Sequence, residues 1–273
     1  MTIGNVTNSF SLQSSLTALA NNEQQLKTTE QQLSTGKSVN SPSDNATAFY
    51  ASQNFLQQAN DLASLKDNLA TSLATVNSTT SSISDVTQVV QQLQGITAQA
   101  AGTTDTTTRA NLATQYNALL PQLDQLVNDA TFNGTNLINN TSTSLTVNFN
   151  ANNTSGVTIP SVNVTSSGLN ITSVSNGFAT TADINAANSQ LQSALSTLNA
   201  NAASFGDNAT LIQTNQDFTS NLINNLQTAS DNLTLADTNQ EAASLLALQA
   251  QNQLSVASLG ISGQLSQAVL KLF

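Results

Sequence analysis

At 273 residues the chain can hold one large domain or two small ones. Only 7% of it is charged, against roughly 25% in ordinary globular chains, so its polar surfaces are amide and hydroxyl rather than ionic. A net charge of −10, five scattered basic residues, and no histidine or cysteine argue against phosphate patches, imidazole or thiolate metal sites, the usual catalytic triads and disulfides.

Neutral polar faces repel one another weakly, which suits a chain that packs against many copies of itself. Regular leucine spacing and low charge run opposite to the signature of disorder. The opening "MTIGNVTNSFSLQ" lacks a basic stretch followed by an apolar core, so it is no Sec-type signal. No apolar run approaches the ~18 residues of a membrane span. Taken alone, these features predict a cytoplasmic chain, unless an export system reads an uncleaved terminus.

Leu12, Leu19, Leu26 and Leu33 fall at successive sevenths and predict a first helix with a narrow apolar seam. Leu16 fills one intermediate position of that seam, and Glu23 and Glu30 occupy the next two. Gly36 suits the left-handed cap that would end this helix. The stretch "QLSTGKSVNSPSDNATAF" then carries the turn residues Gly36, Pro42 and Asp44 between two helical patterns.

The second pattern places Phe55, Leu62, Leu69, Val76, Ile83 and Val90 at strict sevenths, predicting a long coiled-coil-like helix to about Ala101 that stops at Gly102. Asp105 is a candidate N-cap for a third helix, whose seam is Leu112, Tyr116, Leu119, Leu123, Leu126 and Ala130. Pro121 lies inside that pattern and should bend it or make it less regular.

After the turn Phe132-Asn133-Gly134 the period shortens to two. Leu145, Val147 and Phe149, then Val157 and Ile159, Val162 and Val164, Leu169 and Ile171, predict a small antiparallel β region over roughly 140–178. Asn152 to Gly156 is the expected hairpin tip, and Pro160 should lie at an edge or bulge. Helix returns with Ile184, Leu191, Leu198, Phe205, Ile212, Leu226 and Leu233, Thr219 interrupting the column and Gly206 marking a candidate break. A last helix from about Asn239 carries Leu245, Leu246, Leu254, Val256, Leu259, Leu265, Val269 and Leu272.

The fold class is therefore mainly α with a small antiparallel β insert, and long helices before and after the insert can pair into a coiled-coil-like rod. The expected divisions are 1–45, 46–138, 139–180, 181–236 and 237–273. The terminal helices have narrow seams and no domain of their own to bury into, so they are expected to await a partner.

No motif carries chemistry. Acidic pairs such as Asp61/Asp67 and Asp124/Asp129 do not share a helix face, and phosphate loops and calcium loops are missing. The sequence predicts neither an enzyme nor a cofactor, and no nucleic-acid or membrane partner.

Three stretches together resemble bacterial flagellin. "QLSTGKSVNSPSDNATAF" is similar to that family's signature after the first helix, and "NDATFNGTNLI" to its Thr-x-Phe-Asn-Gly turn. "LTLADTNQEAASLLALQAQNQLSVASLG" with the closing "SQAVLKLF" resembles its carboxyl-terminal run. The resemblance implies a subunit exported unfolded without a cleaved signal, polymerising into the extracellular filament beneath a cap protein. It also implies hook-associated proteins and an export chaperone as partners. Polymerisation is then assigned to Leu12, Leu16, Leu19, Leu26 and Leu33, and to Leu245, Leu246, Leu254, Leu259, Leu265, Val269 and Leu272. Phe55, Leu62, Leu69, Val76, Ile83, Leu112, Leu119, Leu126, Leu191, Leu198, Phe205, Ile212 and Leu226 become the core of a rod that ends in the outward β insert. Gly36 to Asn45 becomes a connector whose mobility changes on assembly. A hook–filament junction protein is the nearest rival, since Ser34-Thr35-Gly36-Lys37 and Pro42-Ser43-Asp44 suit it too; an adhesin built on the tryptophan-free insert is more remote.

Overall fold

A computed structural model describes the backbone of residues 3–271 and the side chains of 12–264, 267 and 268. Its elements in chain order are α1 (Ile3–Thr35), α2 (Pro42–Ala101), α3 (Thr106–Asp129), β1 (Ser144–Asn148), β2 (Gly156–Pro160), α4 (Thr181–Thr234) and α5 (Thr238–Lys271). Contacts divide the chain into two compact units. One joins the chain up to Gln58 with the chain from Asn225 on; the other is Ala59–Asn224.

The helix ends are written in cap chemistry. Gly36, at φ +68°, takes the left-handed position that ends α1. The Asp105 carboxylate accepts from the Thr108 amide at 2.8 Å and starts α3. Thr180 and Asp183 form a reciprocal capping box at the start of α4. Asp237 accepts from the Asn239 and Gln240 amides ahead of α5.

The core of the Ala59–Asn224 unit is built from the sevenths. Leu69, Val76, Ile83 and Val90 on α2 are buried, as are Ile184, Leu191, Leu198, Phe205 and Ile212 on α4. Leu62 packs half-buried against the same cluster. Thr219 holds the next seventh of α4 fully inside, because its hydroxyl donates to the Asn215 carbonyl at 2.7 Å and leaves no orphaned donor. Thr75 and Thr79 enter the α2 seam in the same way. Gly206 does not break α4, which runs unbroken to Thr234; one glycine costs only ~1 kcal/mol of helix propensity.

On α3 the apolar face drifts from the sevenths. Leu112, Tyr116, Leu120, Leu123 and Val127 are buried, whereas Leu119 and Leu126 are packed only half-buried beside them. A straight helix turns in 3.6 residues, so a short helix buries i, i+4, i+8 and i+11 rather than a fixed seventh. The helix continues through Pro121 to Asp129. Asn117, four residues before that proline, turns its side chain to brace Val174: its Nδ2 donates to the Val174 carbonyl at 2.9 Å and its Oδ1 accepts from the Val174 amide at 2.8 Å.

The β region is smaller than the alternation suggested. Strands β1 and β2 pair antiparallel from Ser144↔Pro160 to Asn148↔Gly156, with Val147 and Ile159 buried. Pro160 ends β2 at the exposed edge. Val164, Leu169 and Ile171 are buried but form no strand. Their amides bond the Ile138, Thr165 and Ser166 carbonyls respectively, so the period of two there records loop side chains meeting the core. Phe132-Asn133-Gly134 makes a two-residue turn with positive φ at Asn133 and Gly134 (47° and 77°), closed by paired Phe132–Thr135 bonds of 2.9 Å. That geometry is why Asn-Gly stands there.

Tyr116 and Phe178 meet edge-to-face at 5.6 Å in this core. The Tyr116 hydroxyl is buried without a hydrogen-bond partner, and burial pushes its pKa up to about 12. Tyr116→Phe is therefore expected to stabilise the unit by roughly 1 kcal/mol, since an unsatisfied buried hydroxyl is removed without loss of shape. With the folded pKa above the unfolded value of about 10, Tyr116 holds its full contribution below pH 10 and loses it as pH rises towards 12. Thermal melts at pH 8 and pH 11 should show the advantage of the phenylalanine variant widening at the higher pH.

Candidate assembly surface

The other unit holds both terminal helices. Helix α1 packs along α5, and the Asn22 Nδ2 donates across to the Leu248 carbonyl at 3.2 Å. The side of α1 turned inward carries Leu12, Ser15, Leu19, Asn22, Leu26, Thr29 and Leu33, with Asn22 and Thr29 the most buried. Leu16, expected on the seam, is instead 56% exposed. The cause lies in its column: Glu23 and Glu30 share it, and turning that column inward would bury two carboxylates to gain one leucine. The neutral column of Ser15, Asn22 and Thr29 goes inside instead.

On α5, Leu245, Leu248 and Leu259 are half-buried towards α1, whereas Leu246, Leu254, Val256 and Ile261 are 67%, 71%, 54% and 60% exposed. The side chains of Leu265 and Val269, and Leu272 altogether, lie outside the described residues. Phe55 and Leu226 are half-buried in this unit.

Two connectors meet where these helices begin and end. The Ser38 amide donates to the Thr234 carbonyl at 2.7 Å, and the Ala236 amide donates to the Gly36 carbonyl at 3.0 Å. The Ser38 hydroxyl reaches the Thr234 and Leu235 carbonyls, and Gln32 Nε2 donates to the Ser38 carbonyl at 3.0 Å. Nearby, the Ser52 and Ser230 hydroxyls meet at 2.9 Å in a buried pair. Pro42 opens α2, but Asn45 is extended (φ −160°, ψ 100°) and its side chain accepts from the Ala48 amide, so it caps the long helix proper.

Asp44 ties this strap together. Its Oδ2 accepts from the Asn40 and Ser41 amides, at 2.9 and 2.8 Å, and from the Ser41 hydroxyl. Those bonds, the Asn40 amide foremost, hold its carboxyl below the ordinary 3.8. A depressed pKa contributes stability above the ordinary carboxylate range that is lost as pH falls through the lower, folded value. Asp44→Ala is expected to speed amide exchange at Asn40 and Ser41 at least about tenfold at neutral pH. In the wild-type chain the protection of those amides, taken against their intrinsic exchange rate at each pH, should fall to the variant's level only in acid, and exchange read by NMR checks both.

Sequence reasoning missed one cap. Arg109 is buried, and its Nε donates to the Ala100 and Thr103 carbonyls at 3.2 and 2.8 Å, closing the end of α2. Its place a few residues past Gly102, in a chain with so few cations, was the available signal.

Among the described residues no cluster of acidic side chains suits a metal ion, and no helix is long and apolar enough to cross a membrane. Neutral helices, chain ends brought into one unit and leucines turned to solvent are the features of a structural subunit that associates with its like. The chain belongs to the bacterial flagellin family: the profile of the bacterial flagellin N-terminal helical region matches residues 6–143, just over half its length. Flagellin FljO of Caulobacter vibrioides is 27% identical over 250 residues, covering 91% of each chain. A flagellin of Brucella melitensis is 26% identical over 280 aligned positions, covering 98% of each. The crystal structure of Bacillus cereus flagellin overlays with a TM-score of 0.49 at 17% identity, over 56% of this chain and 88% of that one. The chain is thus a structural subunit of the flagellar filament, an extracellular appendage whose subunits self-assemble, and the junction-protein alternative is not favoured.

Proposed function

We propose that the subunit is secreted unfolded and polymerises through α1 and α5, with the flagellar cap, hook-associated proteins and an export chaperone as its transient partners. The leucines assigned to polymerisation divide the work in this reading. Leu12, Leu19, Leu26, Leu33, Leu245 and Leu259 hold the two helices together, while Leu16, Leu246 and Leu254 face neighbouring subunits. Catalysis has no part in it.

The observation that carries this reading is the exposure of Leu16, Leu246, Leu254, Val256 and Ile261, each more than half open to solvent on one unit. Burying a leucine yields roughly 1.5–3 kcal/mol, so a filament that covers several per subunit gains enough to order helices that are marginal alone. The test is growth from fragments of the wild-type filament, followed by electron microscopy. Wild-type subunits should extend the fragments, and Leu246→Gln/Leu254→Gln should raise the concentration needed for growth at least about tenfold. Unchanged growth of the double variant would count against assembly through these residues.

A further inference from the structure

Helix α5 is apolar on two opposite sides. At 100° per residue, Leu246, Ala250, Leu254, Ala257 and Ile261 fall within about 80° of the helix circumference, and all are exposed. The side facing α1, with Leu245, Leu248 and Leu259, lies diametrically across from that stripe. Residues 242–270 contain no charged side chain. A helix apolar on both sides is satisfied only when sandwiched, and α1 covers one side.

The same unit carries a cleft of about 460 Å³ between α1 and α5, lined by Gln24 and Thr28 on one helix and Ser244, Ala247 and Leu248 on the other, with Glu241 among its lining residues. Short side chains at Thr28, Ser244 and Ala247 let another helix approach closely. Going round α5, the cleft residues Ser244 and Ala247 fall between the α1 side and the stripe, so one copy can offer its stripe while its cleft is occupied.

We infer that the Leu246–Leu254–Ile261 stripe of one subunit seats in the α1–α5 cleft of a second copy. This rests on the assembly role proposed above and adds which face meets which. Charge selects the occupant. A stripe with no ionic group cannot compensate a charge buried against it, so its partner face must be nearly neutral too, and this chain's own cleft is neutral except for Glu241. Stripe into cleft is a heterologous contact: it leaves a free stripe at one end and a free cleft at the other, and so propagates.

The absence of cysteine makes the test direct. Full-length Leu254→Cys and Thr28→Cys subunits, one carrying a mass tag, are mixed, grown together on wild-type filament fragments and oxidised. Stripe-to-cleft seating gives a disulfide heterodimer in filaments, at least fivefold above that of Leu254→Cys mixed with Ser155→Cys, whose thiol sits at the exposed hairpin tip. The unpolymerised mixture should give none. Ala257→Cys, a small-for-small change on the same stripe, repeats the reading if Leu254→Cys slows growth. Filaments that form normally but yield heterodimer no higher than the Ser155→Cys control overturn the pairing, as do Leu254→Cys homodimers predominating, which would mean stripe against stripe. If wild-type subunits extend no fragments, the assembly reading itself falls, whichever faces meet.

Discussion

Deleting residues 240–273, or residues 1–35, is expected to abolish filament growth while the Ala59–Asn224 unit keeps its fold. That unit has a continuous core from Leu65 to Ile212 that draws no buried residue from α1 or α5. Circular dichroism should show the loss of the deleted helix and of much of its unpaired mate, and the remaining melt should stay cooperative. Either deletion strips one side of the α1–α5 pair, so the remaining terminal helix has no seam partner and is marginal in water. Filaments grown from a fragment lacking either end would show that assembly does not pass through these helices.

Leu123→Ala is the substitution expected to cost most stability for one side chain, about 3–4 kcal/mol, because Leu123 is wholly enclosed in the helical core and leaves a cavity that cannot collapse. For a unit of this size that lowers the melting temperature by about 10 °C. Leu119→Ala, four residues earlier and only half-buried, should cost closer to 1 kcal/mol. Equal losses in calorimetry would mean that α3 presents a different face from the one described. The pair also separates the two readings of the α3 pattern, since the sequence placed Leu119 and Leu123 on one seam as equals.

That pattern shows where the sequence was legible. Helix ends were, because Gly36, Gly102 and Asp105 act through backbone chemistry that needs nothing from the rest of the chain. Long columns of sevenths were, because α2 and α4 repeat them often enough to average out local exceptions such as Thr219. Leu16 was not: the choice between i+3 and i+4 as the second seam position turns on Glu23 and Glu30, read here as a narrowing of the seam rather than as the side that must stay wet. Residues 161–178 were not, because alternation reports only which side chains are buried, while a strand needs a partner with free amides and carbonyls. The outward leucines of the terminal helices stood in the sequence by number, but their exposure appears only once α1 and α5 are paired. Arg109 went unread as a cap because the carbonyls it satisfies lie at the end of the preceding helix and in the loop after it.

The bonds between the connectors also impose an order in time. Ser38 and Thr234 are 196 residues apart in the chain, and α2, α3, the β region and nearly all of α4 lie between them. A chain made from its amino terminus offers Ser38 early, yet the carbonyls it needs appear only after α4 is complete, and α5 follows later still. Contacts this distant form late and slowly. The amino-terminal helix therefore spends most of the chain's synthesis without its mate, and the unit that holds both terminal helices is the last part of the molecule that can close.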